Sequence, residues 1–411
     1  MTAMARAAAA GAIRRRAGAG VGRRRTAARA AGREEEAERY DVLVVGGGPV
    51  GTETALISAM AGKTVAVADP RGALLGAPTG WVSKALRQAG RDFGAADGSR
   101  RVDWEVCAHA LANTATRALA ATEHRLEDAA AVAEHWTPPE VLGGRARFLG
   151  SHLAAVESGS GPRRVAFDAA FIAVGSASVR IPALPWAEGE RDGWLYDGDT
   201  VQGIGRVPSR LLIQGAGAIG VEYAFIFRSL GSEVCLAYRE DHVMRELGLD
   251  ESVRAAVEAR MQRLGIELLP GTGDLVDLRA PAPDGRPGSA RLGDGPRREF
   301  DAVLSATGRA GCCGALDVGL AGCAEPVRGR AVVDPESMRC VGADGRALTH
   351  IYAVGDAESG SDLKPEGLLS TGLAGAYIAT HAAFPEEIEE IGAPAIARAS
   401  SPEAPPRSQR A

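Results

Sequence analysis

The sequence predicts an α/β protein built from two Rossmann-type dinucleotide-binding units. Three observations carry that expectation. YDVLVVGGGPVGTETALISAMAGKTVAVADP (40–70) reads as strand, glycine turn, helix and strand, with Gly46, Gly48 and Gly51 at G-x-G-x-x-G spacing. RLLIQGAGAIGVEYAFIFRSLGSEVCLAYRE (210–240) repeats the pattern with Gly215, Gly217 and Gly220. At 411 residues the chain has room for two domains whose cores need no disulfide staples.

Taken from the start, residues 1–33 hold nine arginines and no acid. That is the Arg-rich, acid-poor pattern of an organelle transit peptide, without the apolar region of a secretory signal. Scarce hydroxyl residues fit a mitochondrial address better than a plastid one. The alternative is an Arg-biased tail on a cytoplasmic protein, since the whole chain uses Arg heavily and Lys only at Lys63, Lys84 and Lys364. The first glycine loop then follows. Its glycines permit a tight turn, approach of a pyrophosphate to backbone N–H groups and close packing of helix on strand. Asp69 ends the second strand, where an acid accepts hydrogen bonds from ribose hydroxyls. SKAL (83–86) opens a further helix, and 103–135 reads as helix up to Pro138-Pro139. Strands are expected in RARFLGSHLAAV and RRVAFDAAFIAVGS. Beyond the second loop come a helix (251–264), a Gly/Pro-rich hairpin region (279–295), the strand FDAVLSATGR and an apolar helix (366–384). Pro, Ser, Ala and Arg dominate the end of the chain, so 386–411 is expected to be a disordered tail.

A formal net charge of −5 gives no footprint for nucleic acid. Apolar runs such as Val42–Val45 are strand-length, far short of the roughly 20 residues of a membrane span. The partners expected are therefore small molecules. Six scattered cysteines lack the recurring C-x-x-C of a zinc site, and His109, His124, His135 and His152 show no paired-ligand spacing, so no metal is expected. Buried, reduced thiols are the expectation for the cysteines.

With these motifs in order, residues from about Tyr40 to Phe384 resemble the pyridine nucleotide–disulfide oxidoreductases. Within that family, YDGDTVQGIGRVPSRLLIQGAGAIGVEYAFIFRSLG (196–231) and SKALR (83–87) are most similar to the soluble, FAD-dependent pyridine nucleotide transhydrogenase branch. The resemblance implies FAD and NADP or NAD as cofactors. It implies an NAD(P) domain (196–320) inserted in a discontinuous FAD domain (39–195 and 321–385), with 1–38 as leader or tail. Gly46, Gly48, Gly51 and Asp69 would hold the FAD diphosphate and ribose, and Gly144 and Ala146 the adenine side. Gly175 marks the crossover out of the FAD domain. Gly355 and Asp356 match the motif whose Asp bonds the ribityl chain. Gly215, Gly217 and Gly220 would hold the nicotinamide nucleotide, with Gly308 and Arg309 near its reactive end. Arg239 and Arg245 resemble an arginine pair that binds a 2′-phosphate, which predicts a preference for NADPH. Lys84 matches the lysine beside flavin N5, and its expected ion-pair partner is Glu222.

The chain departs from the family in three places. No cysteine precedes Ser83-Lys84, where the redox pair would fall near Leu75 and Gly80. The family's interface domain with its His-Glu pair should follow residue 385, and 386–411 contain no histidine. The aromatic gate of some members is Ala218. Disulfide reduction thus lacks its dithiol, while the residues for flavin and nicotinamide remain. The expected activity is hydride transfer between pyridine nucleotides. The alternatives are a diaphorase-like NAD(P)H dehydrogenase, or a dihydrolipoyl dehydrogenase-like paralogue that binds FAD without reducing disulfides. The oligomeric state is open.

Overall fold

The computed structural model describes residues 37–74, 80–133, 135–159, 161–295, 297–359 and 369–391. Most of the N-terminal segment expected to be a leader or tail, the position Leu75 of the expected redox pair, and the chain after 391 lie outside them. The chain divides into two compact units. A first-loop unit takes the described residues within Ala3–Pro78, Thr116–Ser176 and Ala310–Ala411, and a second-loop unit takes those within Thr79–Ala115 and Ala177–Arg309.

In the first-loop unit, β1 (Glu38–Val45) leads through the glycine turn into α1 (Pro49–Met60) and β2 (Val65–Ala68). Two further helices follow in the chain, α2 (Gly80–Phe93) and α3 (Trp104–Val132). After them come β3 (Glu140–Leu142), β4 (Gly144–Gly150), β5 (Leu153–Ser158) and β6 (Gly161–Ile172). β1 pairs in parallel with β2 on one side and β6 on the other. Val42–Val45 and Val65–Ala68 are all buried, the continuous apolar run of a strand covered on both faces. In α1 every residue from Gly51 to Met60 is buried, so its hydroxyls must bond inward. Thr54 donates to the Val50 carbonyl at 2.9 Å and Ser58 to that of Thr54 at 2.8 Å.

The second-loop unit repeats the plan. β7 (Leu195–Asp197), β8 (Arg210–Gln214), α4 (Ala218–Ser229), β9 (Glu233–Ala237), α5 (Glu251–Arg263) and β10 (Glu267–Leu269) are followed by β11 (Leu275–Arg279), β12 (Gly288–Leu292), β13 (Arg297–Phe300) and β14 (Ala302–Ser305). The five-stranded sheet runs β10-β9-β8-β14-β7, all parallel. The Gly/Pro-rich region forms an antiparallel β11-β12-β13 sheet.

The chain then returns to the first-loop unit with β15 (Arg339–Val341), β16 (Ala347–Ala353), α6 (Leu369–Ala383) and α7 (Pro385–Ile391). These strands complete the path β15-β16-β6-β1-β2-β3 of an eight-stranded sheet, with β5 and β4 branching from β6.

Two expectations need correction. The expected boundaries put 79–115 and 177–195 with the first loop and 310–320 with the second; packing reverses all three. Val82, Leu86 and Ala89 of α2 enter one core with Tyr223 and Phe227 of α4. Cys313, Leu316 and Val318 join the core around β1 and β6. The tail was expected from 386, yet α7 occupies its first residues, because Ile388 is buried beside Leu56, Ile57 and Met60 of α1. Among the described residues no helix is long and apolar enough to cross a membrane.

Candidate nucleotide-binding sites

The two glycine turns are near copies. Gly46 and Gly215 have φ of +112° and +103°, which an L side chain rarely adopts. Their amides donate to the Ala68 and Ala237 carbonyls at 2.9 and 2.8 Å. A Cβ on either would strike the carbonyl of Ala173 or Ala306, just past the end of the neighbouring strand. A Cβ on Gly51 or Gly220 would strike the Gly46 or Gly215 carbonyl. These four glycines are therefore required by the protein's own backbone.

Gly48 and Gly217 differ from them. Both are helix N-caps at φ −70° and ψ −175°, extended backbone open to any residue, and neither N-cap has a side-chain hydrogen bond. Apart from the glycine and its chain neighbours, no atom of the described residues lies within 4 Å of where a Cβ would stand. The space is bordered by the unfilled N–H groups of α1 or α4, the positive end of a helix. Both cradles fit a diphosphate, and a side chain would intrude on it.

The ribose ends of the cradles diverge. Asp69, 2% exposed, follows β2. Its Oδ2 accepts the Gly47 N–H at 2.8 Å and Arg71 Nη2 at 2.7 Å, while its Oδ1 accepts the Arg71 N–H at 2.8 Å and Nε at 2.9 Å. Burial raises the carboxyl pKa, but these donors and the guanidinium charge outweigh it and leave it below the usual range. The equivalent residue after β9 is Tyr238, buried and uncharged, with its hydroxyl pushed up to about 12 by burial and then by Glu258.

The arginines expected to take a 2′-phosphate already have acidic partners. Arg239 Nη2 donates to Asp274 Oδ1 at 2.8 Å, and Arg245 Nη1 lies 3.5 Å from Asp241 Oδ2. The ion pair expected between Lys84 and Glu222 is also replaced: Glu222 is paired with Arg87, one turn further along α2, while Lys84 is exposed. A guanidinium presents a planar fork matched to a carboxylate, and Arg87 is the residue that reaches α4 from this helix.

The remaining expected positions fall in both units. Asp356 accepts from Ser176 Oγ at 2.7 Å. Gly175 and Gly355 both have positive φ, 68° and 66°. Gly144 is buried where a Cβ would strike the Glu157 carbonyl of β5, so strand pairing alone demands a glycine there. Ala146 is buried on β4. Gly308 has φ of +116°, and Arg309 Nη1 donates to Asp199 Oδ1 at 2.9 Å. All six cysteines are free thiols, four of them buried. Cys313 is pushed up to about 11 by burial, which suppresses the thiolate. Among the described residues no cluster of three or more His, Cys, Asp or Glu is placed to hold a metal.

Arg71, Arg87 and Asp274 were missed from sequence. Arg71 stands two residues past the acid and Arg87 one turn past the lysine, so both had local signals. Asp274 had none, being brought to Arg239 by the fold.

Residues 40–383 match the family described as pyridine nucleotide-disulphide oxidoreductase. The chain belongs to that family. It is an oxidoreductase of this class, whose cofactors are FAD and NAD(P)H. A soluble pyridine nucleotide transhydrogenase of Mycobacterium bovis is 28% identical over 365 residues, covering 86% of this chain and 72% of the relative. One from Vibrio parahaemolyticus is 29% identical over 339 residues, covering 77% and 66%. The fold is shared with the HOCl-induced flavoprotein disulfide reductase RclA of Escherichia coli, in its Cu(II) complex, at TM-score 0.67 and 21% identity, covering 84% of this chain and 70% of that one. It is also shared with LpdA of Mycobacterium tuberculosis at TM-score 0.66 and 22% identity, covering 85% and 73%.

Proposed function

We propose that this oxidoreductase transfers hydride between pyridine nucleotides, as a soluble transhydrogenase does. The observation that carries the reading is the pairing of two intact, open glycine cradles with a stretch, ALLGAPTGWVS (73–83), that has no cysteine. A disulfide substrate needs a nucleophilic thiolate beside the flavin, and the motif that supplies one in the family is not there.

The first cradle and Asp69 bind FAD. Arg71 yields its place on the Asp69 carboxylate to the ribose hydroxyls, since four donors already fill that group's acceptor positions. Asp356, oriented by Ser176, holds the ribityl chain. The second cradle binds the nicotinamide nucleotide through the N–H groups at the start of α4. Ala218 follows Gly217 where a bulky side chain would gate that cradle, so one nucleotide leaves and another enters. Bound FAD supplies the acceptor and donor of hydride at N5. Lys84, carried over from the family motif, would supply the ammonium that favours electron-rich flavin, and its expected partner Glu222 is paired with Arg87.

The test is stopped-flow mixing of the purified yellow protein with NADPH, then with thio-NAD. Bleaching of the flavin followed by reduction of thio-NAD is expected, with bleaching slowed at least about tenfold in Lys84→Ala, the equivalent of 1.4 kcal/mol in the barrier. Transfer to quinones but never to thio-NAD would make the protein a diaphorase. Turnover of oxidised glutathione or lipoamide would overturn the proposal.

A further inference from the structure

We infer that Asp274 sets the nucleotide preference of the second cradle by competing with a 2′-phosphate for Arg239. The inference rests on the reading that the end of β9 receives the adenosine ribose of the nicotinamide nucleotide.

The ribose end of the first cradle carries a carboxylate, Asp69, which suits free ribose hydroxyls and would repel a 2′-phosphate. Tyr238 holds the equivalent position in the second cradle and brings no charge. The next residue, Arg239, is the cation nearest along the chain to that strand end, and its guanidinium stands 2.8 Å from Asp274. The Asp274 carboxylate is not carried by a loose loop. The Thr272 N–H donates to the Tyr238 carbonyl at 2.9 Å, and the Gly293 N–H to the Asp274 carbonyl at 2.7 Å. The buried side-chain amide of Gln214, the last residue of β8, donates to the Gly273 carbonyl at 2.7 Å. At Gly273 a Cβ would come within 2.6 Å of Arg239 Cγ and 2.8 Å of its backbone nitrogen, so only glycine lets this loop lie against the arginine.

The fold therefore fixes a carboxylate beside the one arginine that adjoins Tyr238. A 2′-phosphate brings a stronger charge than a carboxylate and three acceptor oxygens, so it can win Arg239, but only by breaking this pair. The side chains of Arg239 and Asp274 are 71% and 60% exposed, so the competition is screened by solvent and salt. The consequence is a muted preference: NADPH and NADH are both accepted, as an enzyme passing hydride between the two pools requires. Arg245, further along the chain, has its own exposed partner in Asp241.

The experiment is calorimetric titration of the FAD-loaded protein with adenosine 2′,5′-bisphosphate and with AMP, which differ only in the 2′-phosphate. The wild type, Asp274→Asn, Arg239→Ala and the double variant are compared. Asp274→Asn keeps the side chain's size and removes its charge; Asp274→Ala repeats the test if the Asn variant folds poorly. The ratio of the two affinities is expected to rise about three- to tenfold in Asp274→Asn at low salt, to shrink as salt is added, and to stay flat when Arg239→Ala is already present. An unchanged ratio in Asp274→Asn, with a fall in Arg239→Ala, overturns the role of Asp274 and leaves Arg239 at the 2′-phosphate. An unchanged ratio in Arg239→Ala overturns the placement of the ribose itself.

Discussion

The two glycine-loop units share one backbone and differ in what is hung on it. In both, the central strand pairs with the next at the same offset, Val42 with Val65 and Leu211 with Val234. Gly46, Gly48 and Gly51 meet the same demands as Gly215, Gly217 and Gly220. Even the glutamate two residues past the last glycine recurs, and each pairs with an arginine. Glu53 with Arg125 is a buried pair, the side chains 2% and 11% exposed; Glu222 with Arg87 is half open, at 32% and 42%. At the strand ends a buried carboxylate, Asp69, faces a neutral Tyr238. The diphosphate cradle is thus fixed by main-chain geometry and is duplicated nearly unchanged. Recognition of the rest of each nucleotide is left to side chains, and there the units diverge.

The largest effect expected from breaking this comparison is at the paired glutamates. Glu53→Gln leaves the Arg125 charge inside the core of the first-loop unit, a change that costs about 3–5 kcal/mol. Glu222→Gln releases Arg87 to solvent and should cost less than about 1 kcal/mol. Urea unfolding of the two variants measures both, and equal losses would mean that burial is not what separates the pairs.

Next come the glycines that back onto carbonyls. Gly51→Ala and Gly220→Ala each force a methyl against a backbone oxygen and should destabilise their own unit by about 1–3 kcal/mol or more. The cradle glycines behave in the opposite way. Gly48→Ala and Gly217→Ala place a methyl in open space at ordinary φ, so the melting temperature should hold while binding falls about tenfold, or 1.4 kcal/mol. The first variant should lose FAD, read by flavin fluorescence, and the second NAD(P)H, read by titration. A loss of FAD from Gly217→Ala would exchange the assignments of the two cradles.

Both cradles were legible in the sequence, because a tight turn and a close approach of backbone to ligand leave glycines at fixed spacing. Asp69 was legible for the same reason: it falls at a set distance along a strand whose length the fold dictates. What the sequence hid were partnerships across the fold. Nothing near Arg239 announces Asp274, and nothing near Glu53 announces Arg125 on the long helix α3. Lys84 and Glu222 were expected together because a motif pairs them. The helix instead presents Arg87 to Glu222, a choice between two cations one turn apart that only packing decides. The boundary errors have a similar origin. Chain order puts α2 just after the first loop, yet Val82, Leu86 and Ala89 bury themselves with the helix of the second.

The smallest effect expected lies in acid. Burial raises the Asp69 carboxyl, but the hydrogen bonds and charge of Arg71 and the N–H of Gly47 bring it below its usual range. A folded pKa under the unfolded value of about 3.9 means that the ionised group stabilises the fold fully above that value. The contribution is lost as the pH falls through the lowered folded pKa, when the unfolded chain already binds the proton. Tyr238 has no counterpart to this, since its hydroxyl is pushed up to about 12 and stays neutral throughout. Urea midpoints should therefore fall more steeply below about pH 4 for the wild type than for Asp69→Asn, while Tyr238→Phe keeps the wild-type slope. The other carboxylates are common to all three proteins and cancel in the comparison. Parallel slopes for the wild type and Asp69→Asn would mean that the clasp of Arg71 on Asp69 adds nothing to the folded state, and that the two strand ends differ in recognition alone.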